Sequence, residues 1–204
     1  MSLKNIIKQI GTCVLHPYVA SFLLVRGCKH FIIGPQLTIN GIRGFKNFKC
    51  GNDFSMGRNG RLLFVDEYRG RQYTPEIIIG DNVCIGNRFS CLSAAKITID
   101  DNCLIASDVM ISSENHGTNP EFADSYSDTP LDAKEVWIGK GCWIGEKVSI
   151  LPGVSIGDRC IIATNAVVTK SFPSYCLIGG VPAKLLKKYN FEKHQWEKVN
   201  EKSI

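Results

Sequence analysis

One aliphatic residue in every six restricts what this chain can fold into more than any other feature. From Ile79 the series runs through Ile85, then Ile99, Ile105 and Ile111, then Ile138, Ile144, Ile150, Ile156, Ile162 and Val168, with Cys91 in the one slot that is not aliphatic. The following residue is mostly small or acidic: Gly80, Gly86, Asp100, Ala106, Gly139, Gly145, Gly157 and Ala163. Four places after the aliphatic stands a compact side chain, as in Val83, Cys103, Val109, Cys142, Val148, Val154, Cys160 and Ala166. A period of six matches neither a helical face at about 3.6 nor a plain alternating strand. It matches a short strand, a tight corner and another strand, with the aliphatic pointing inward and Gly or Asp permitting the corner. Three units close one triangular coil, and stacked coils set like residues above one another at about 4.8 Å, burying a continuous aliphatic column.

The interruptions predict the rest of the architecture. Between Cys91 and Ile99 the step lengthens by two, an insertion around Ala94 to Thr98. Between Ile111 and Ile138 it lengthens to 27, which predicts one extruded loop over residues 117–134. Upstream, Ile33-Gly34, Ile39, Cys50-Gly51 and Met56-Gly57 mark irregular first coils. After Val168 the register fades through Phe172-Pro173, and Leu185, Leu186, Tyr189 and Trp196 follow at helical spacing. The expected organisation is an N-terminal helical extension over 1–30, an all-β coil over 31–182, and a C-terminal helix and tail over 183–204. The helix would cap a sheet edge otherwise left unpaired.

Composition adds limits. A hydrophobic content of 44% with 21% charged residues is that of one globular domain with a full core. The nine cysteines form no CxxC and no ligand spacing with the four histidines, so no metal site is expected. Several fill the compact inward slot, which reads as reduced core thiols of a cytoplasmic protein. The net charge of +5 is uneven. Residues 112–135 carry Glu114, Glu121, Asp124, Asp128, Asp132 and Glu135 against Lys134 alone, while residues 183–204 hold six lysines against three glutamates. The basic end suits phosphates or is solvated surface. The apolar run from Val14 to Val25 is too short to span a bilayer and no signal-peptide cleavage site follows it. Helical structure covering one end of the core is the first expectation there, and weak peripheral membrane contact the second. No nucleic-acid partner is expected.

The stretch IGKGCWIGEKVSILPGVSIGDRCIIATNAVVTK, followed by GGVPAKLLKK, resembles the hexapeptide-repeat acyltransferases, in the branch of maltose, galactoside and polysaccharide O-acetyltransferases. The resemblance covers roughly residues 77–187. It implies a left-handed parallel β-helix, against the usual right-handed crossover, with acetyl-CoA as co-substrate and a homotrimer whose sites lie between subunits. In that family a histidine at the base of an extended loop is the general base, and His116 in SSENHG occupies that place. An imidazole with an ordinary pKa near 6.5 suits the task of taking a hydroxyl proton. Asn115 beside it either orients the acceptor or satisfies local backbone, and Glu114 shares a side with His116 only if the strand stays regular.

Trp143 matches a cleft tryptophan of the relatives, placed to pack on the pantetheine arm or a sugar face, or else on a neighbouring subunit. Ala163, Thr169, Lys170, Gly180, Lys184 and Lys187 match cofactor-contacting positions, although Lys184 and Lys187 stand where the family often has arginine. Glu146 departs from the family's smaller polar residue, so no contact is carried to it. The oxyanion donor is expected to be a backbone N–H of a neighbouring coil. The implied activity is acetyl-CoA-dependent O-acetyl transfer to a hydroxyl of a sugar or surface polysaccharide. N-acetyl transfer to an amino sugar, a xenobiotic acetyltransferase, and a noncatalytic β-helical scaffold are the alternatives. A scaffold needs the register but not the ordered set of His116, Trp143 and Lys170. A γ-type carbonic anhydrase would need three zinc histidines, and a serine acetyltransferase a larger helical N-terminal domain.

Overall fold

In the computed structural model, which describes residues 3–199, the six-residue register becomes a three-faced coil. Its walls are sheets of nine, six and five strands, and each of the first five turns of chain contributes one short strand to each in order. Neighbouring coils pair in parallel with like on like. The first face stacks Ile85, Ile105, Ile144, Ile162 and Ile178. The second stacks Leu62, Cys91, Ile111, Ile150 and Val168, and the third Ile79, Ile99, Ile138 and Ile156. All of these side chains are buried in one continuous core.

The corner glycines act by letting coils approach. A Cβ on Gly86 would stand 2.6 Å from the Ser107 amide nitrogen, and one on Gly139 2.8 Å from that of Asp158. The left-handed backbone lies two positions later, at residues such as Asn82, Arg88, Asn102 and Asp108. The acidic corner residues cap the coil below: Asp101 Oδ1 accepts from the Asp81 N–H at 3.0 Å and Asp158 Oδ1 from the Lys140 N–H at 2.8 Å. The inward thiols pack and donate to carbonyls, Cys103 to Gly139 at 3.2 Å, Cys142 to Gly157 at 3.2 Å and Cys160 to Pro173 at 3.1 Å. Cys84, by contrast, is exposed.

Helices α1 (Leu3–Leu15) and α2 (Pro17–Val25) sit at the open end of the first coil. α2 buries Val19, Ala20 and Leu23, and the His16 ring hydrogen-bonds the Gly34 carbonyl at 2.9 Å. No described helix is long and apolar enough to cross a membrane.

The far end corrects the sequence expectation. Ala183–Asn190 is a strand, not a helix; it runs antiparallel to Cys176–Gly180 and is followed by the antiparallel strand Gln195–Lys198. Residues 200–204 of the expected tail lie outside the described residues. The open edge of the first face supplies unpaired backbone groups that a strand satisfies and a helix does not. From Ala183 to Lys188 buried or half-buried positions alternate with exposed ones, a period of two hidden inside the helical spacing. Tyr189 then meets Trp196 edge-on at 5.4 Å across the ladder.

Candidate active site

Every long departure from the coil leaves the same edge, between the second and third faces. The first coil puts α3 (Ile42–Phe45) there, the second residues 65–75, the third the Ala94 insertion, and the fourth the predicted loop. Their common edge lets them brace one another.

The loop leaves through a two-stranded neck. Glu114–His116 pairs antiparallel with Leu131–Ala133, setting His116 opposite Leu131 at the last rung of the ladder. Beyond it the Gly117 N–H donates to the Pro130 carbonyl at 2.9 Å, and the buried Thr129 hydroxyl donates to the carbonyls of Gly117 and Tyr126 at 3.1 and 2.7 Å. Beneath the neck, buried Ser113 accepts from the Ala94 and Ala95 amides at 3.1 and 3.0 Å. The residues inserted in the third coil thus anchor the excursion of the fourth.

His116 is exposed at this neck, with the Tyr68 ring edge-on to its imidazole at 5.4 Å. Tyr68 belongs to a small hairpin, Glu67–Tyr68 with Arg71–Gln72, thrown out by the second coil. That hairpin holds the loop from beneath. The Tyr68 hydroxyl and Arg69 Nε both donate to the Ser127 carbonyl, Arg69 pairs with Asp128, and the Tyr73 hydroxyl accepts from the Leu131 N–H at 2.8 Å. Sequence reading missed these residues. The available signal was the register, which runs from Met56 to Leu62 in one step of six and then resumes only at Ile79.

Strand alternation sets Glu114 on the same side as His116 and Asn115 on the other, with Asn115 opposite Asp132. Burial pushes the Glu114 carboxyl above its usual range, while His116 and Arg61 draw it back down. A carboxyl whose folded pKa is raised contributes its full stability below the unfolded value and loses it as pH rises through the folded value. Glu114→Gln is therefore expected to melt above the native chain at neutral pH and level with it below about pH 4, as thermal unfolding across pH would read.

The remaining predicted residues fall into two groups. Trp143, 52% exposed, stands on the outward side of the first face. It lies in a row across the ladder formed by Leu104, Trp143, Ile161, Leu177 and Lys187. Ala163 follows the strand Ile161–Ile162 beside Gly179, where a Cβ added to Gly179 would come within 2.9 Å of the Ala163 Cβ. Lys184 lies opposite Gly179, and Gly180, at φ +101°, is exposed next to it. Thr169 and Lys170 follow the last strand of the second face, on the edge that carries His116 and two coils farther on, with Lys170 Nζ 5.7 Å from the Phe172 ring centroid. The structure thus joins Trp143, Ala163, Gly180, Lys184 and Lys187 on the first face and its edge, and aligns Thr169 and Lys170 with His116. It does not bring His116 to Trp143, because the edge between the second and third faces is the one opposite the first face.

Backbone donors follow a pattern of their own. At the corner between the first and second faces the Arg58 N–H is capped by Asn87 Oδ1 and the Asn87 N–H by Ser107 Oγ. Farther along, the N–H groups of Glu146 and Thr164 have no acceptor among the described residues, whereas those of Gly145 and Ala163 are taken by the Ile162 and Ile178 carbonyls.

A family model described as Bacterial transferase hexapeptide (six repeats) matches residues 135–170. The chain is 39% identical over 164 residues to WbbJ of Escherichia coli (strain K12), named for O-acetyl transfer in lipopolysaccharide biosynthesis, covering 78% of this chain and 80% of that one. It is 32% identical over 127 residues to the galactoside O-acetyltransferase of the same strain, covering 62% of this chain and 61% of that one. Among solved structures, the hexapeptide-repeat acetyltransferase VCA0836 of Vibrio cholerae O1 biovar eltor, complexed with acetyl coenzyme A, has the same fold, with a TM-score of 0.56 at 22% identity over 92% of this chain and 86% of that one.

Proposed function

The chain belongs to the bacterial transferase hexapeptide family of acetyltransferases, and from that premise we propose that it moves an acetyl group from acetyl-CoA to a hydroxyl of a sugar or surface polysaccharide. The observation that carries this reading is His116, an exposed imidazole fixed at the last rung of a braced hairpin. There it takes the acceptor's hydroxyl proton as the oxygen attacks. Glu114, on the same side, orients the ring. The uncommitted N–H groups of Glu146 and Thr164 are the candidates to receive the charge that develops on the carbonyl oxygen.

The residues present fit acetyl-CoA, which supplies an activated thioester carbonyl when bound. The row of Leu104, Trp143, Ile161 and Leu177 suits the pantetheine arm, and Lys187 ends that row with a cation. Lys184 and Lys170 add charge for the phosphates and Thr169 a hydroxyl. Ala163 and Gly180 keep the edge free of bulk.

A cleft that contains both His116 and Trp143 needs two chains, since each chain carries them on opposed sides. This supports a homotrimer with its sites between neighbours, built from the left-handed coil of the family. Subunit mixing tests it: His116→Ala and Trp143→Ala chains, each inactive or nearly so alone, should regain part of the native turnover when refolded together. No recovery, or a monomer by light scattering, overturns the shared cleft. The chemistry is read by CoA release from acetyl-CoA with a panel of sugars and polysaccharides. Absence of CoA release together with absence of acetyl-CoA binding by calorimetry would overturn the activity.

A further inference from the structure

The N-terminal helices present an inverted surface. In α1 the residues Ile6, Ile7, Ile10 and Val14 recur on one helical arc and are exposed, Ile7, Ile10 and Val14 at 62%, 58% and 74%. A helix built to cover a core would turn its apolar arc inward. In α2 the buried side is taken by Val19, Ala20 and Leu23, yet the opposite side carries Tyr18 and Val25, 91% and 88% exposed. Both helices thus add exposed apolar side chains to one end of the coil.

The two helices carry no acidic residue, while on the adjoining coils Asp53 meets His30 at 3.4 Å and Glu76 pairs with Lys49. All nineteen acidic residues of the chain lie beyond Asn52, whereas Lys4, Lys8, Arg26, Lys29, Arg43, Lys46 and Lys49 precede it. Among them Arg26, Lys29, Arg43 and Lys46 are exposed. Two such segments would repel, so a second copy of this chain is a poor partner for the surface. Apolar side chains on helices that carry no carboxylate, with Arg26 and Lys29 following them in the chain, are complementary to a bilayer with anionic headgroups, where apolar side chains enter the acyl boundary and each nearby Lys or Arg gains from the surface potential. α1 has 13 residues and α2 nine, too few to cross, so the helices would lie in the interface.

We propose that α1 and α2 form a docking surface that holds this protein on an anionic lipid membrane. Flotation of the full chain with vesicles of phosphatidylcholine and phosphatidylglycerol tests it. The full chain should float with the mixed vesicles at low salt, and at least about tenfold less with phosphatidylcholine alone or at high salt. Ile10→Ser combined with Val14→Ser should weaken flotation about tenfold with an unchanged melting temperature and unchanged CoA release on a soluble acceptor. A full chain that stays at the bottom of the gradient, or a double variant that floats like the native chain, overturns the proposal. So does native self-association that the double variant abolishes, because the apolar face then belongs to a second copy. Flotation does not depend on turnover, so an inactive protein that floats separates this inference from the catalytic one.

Discussion

His116→Ala should lower kcat for acetyl transfer by about 10²–10⁴-fold, the usual worth of a positioned general base. Binding of acetyl-CoA and the melting temperature should stay close to native. The expectation of an intact fold rests on geometry: the side chain is exposed, its ring meets only Tyr68 among the described aromatic contacts, and the neck is held by backbone bonds and by Thr129 and Ser113. Removing the imidazole leaves each of those bonds in place. Steady-state kinetics should show the loss in kcat, with little change in KM for acetyl-CoA, whose proposed contacts lie on other residues. Full activity in the variant would refute the general-base role.

Ile111→Ala should cost about 3 kcal/mol, within the range for a large-to-small change at a closed site. Ile111 is completely buried between Cys91 and Ile150 on the second face and begins the turn that leads into the neck. A coil cannot collapse onto the missing atoms, because its spacing to the coils on either side is fixed by backbone ladders. With roughly 2–4 °C lost per kcal/mol for a domain of this length, the melting temperature should fall by about 10 °C in a thermal scan. A fall of under about 2 °C would mean the column relaxes freely.

The central coils were legible because their rule is local. One aliphatic in six, a small or acidic residue after it and a compact one four places on dictate strand, corner and inward packing without distant information, and the ladders pair like on like from Ile79 to Val168. The excursion that carries His116 was legible as the break in that rule. The role of its glycines was only partly so. Gly86 and Gly139 are demanded by the close approach of the next coil, a relation between residues about 20 apart.

Two regions were read wrongly or missed for a shared reason. The segment after Pro182 carries both a helical spacing and an alternation, and local propensity does not choose between them; the unpaired edge of the Cys176–Gly180 strand does. The Tyr68 hairpin looks like irregular sequence, and its meaning depends on Ser127, Asp128 and His116, some 50 or 60 residues away.

By itself, then, the order of amino acids determined the coil, its inward column and the place where a histidine leaves it, since each follows from spacing along the chain. Tertiary structure decided what surrounds that histidine. Stacking put every insertion on one edge, so that a hairpin from the second coil braces the loop of the fourth. It also set Trp143 on the opposite face, because a triangular cross-section puts every edge across from a wall.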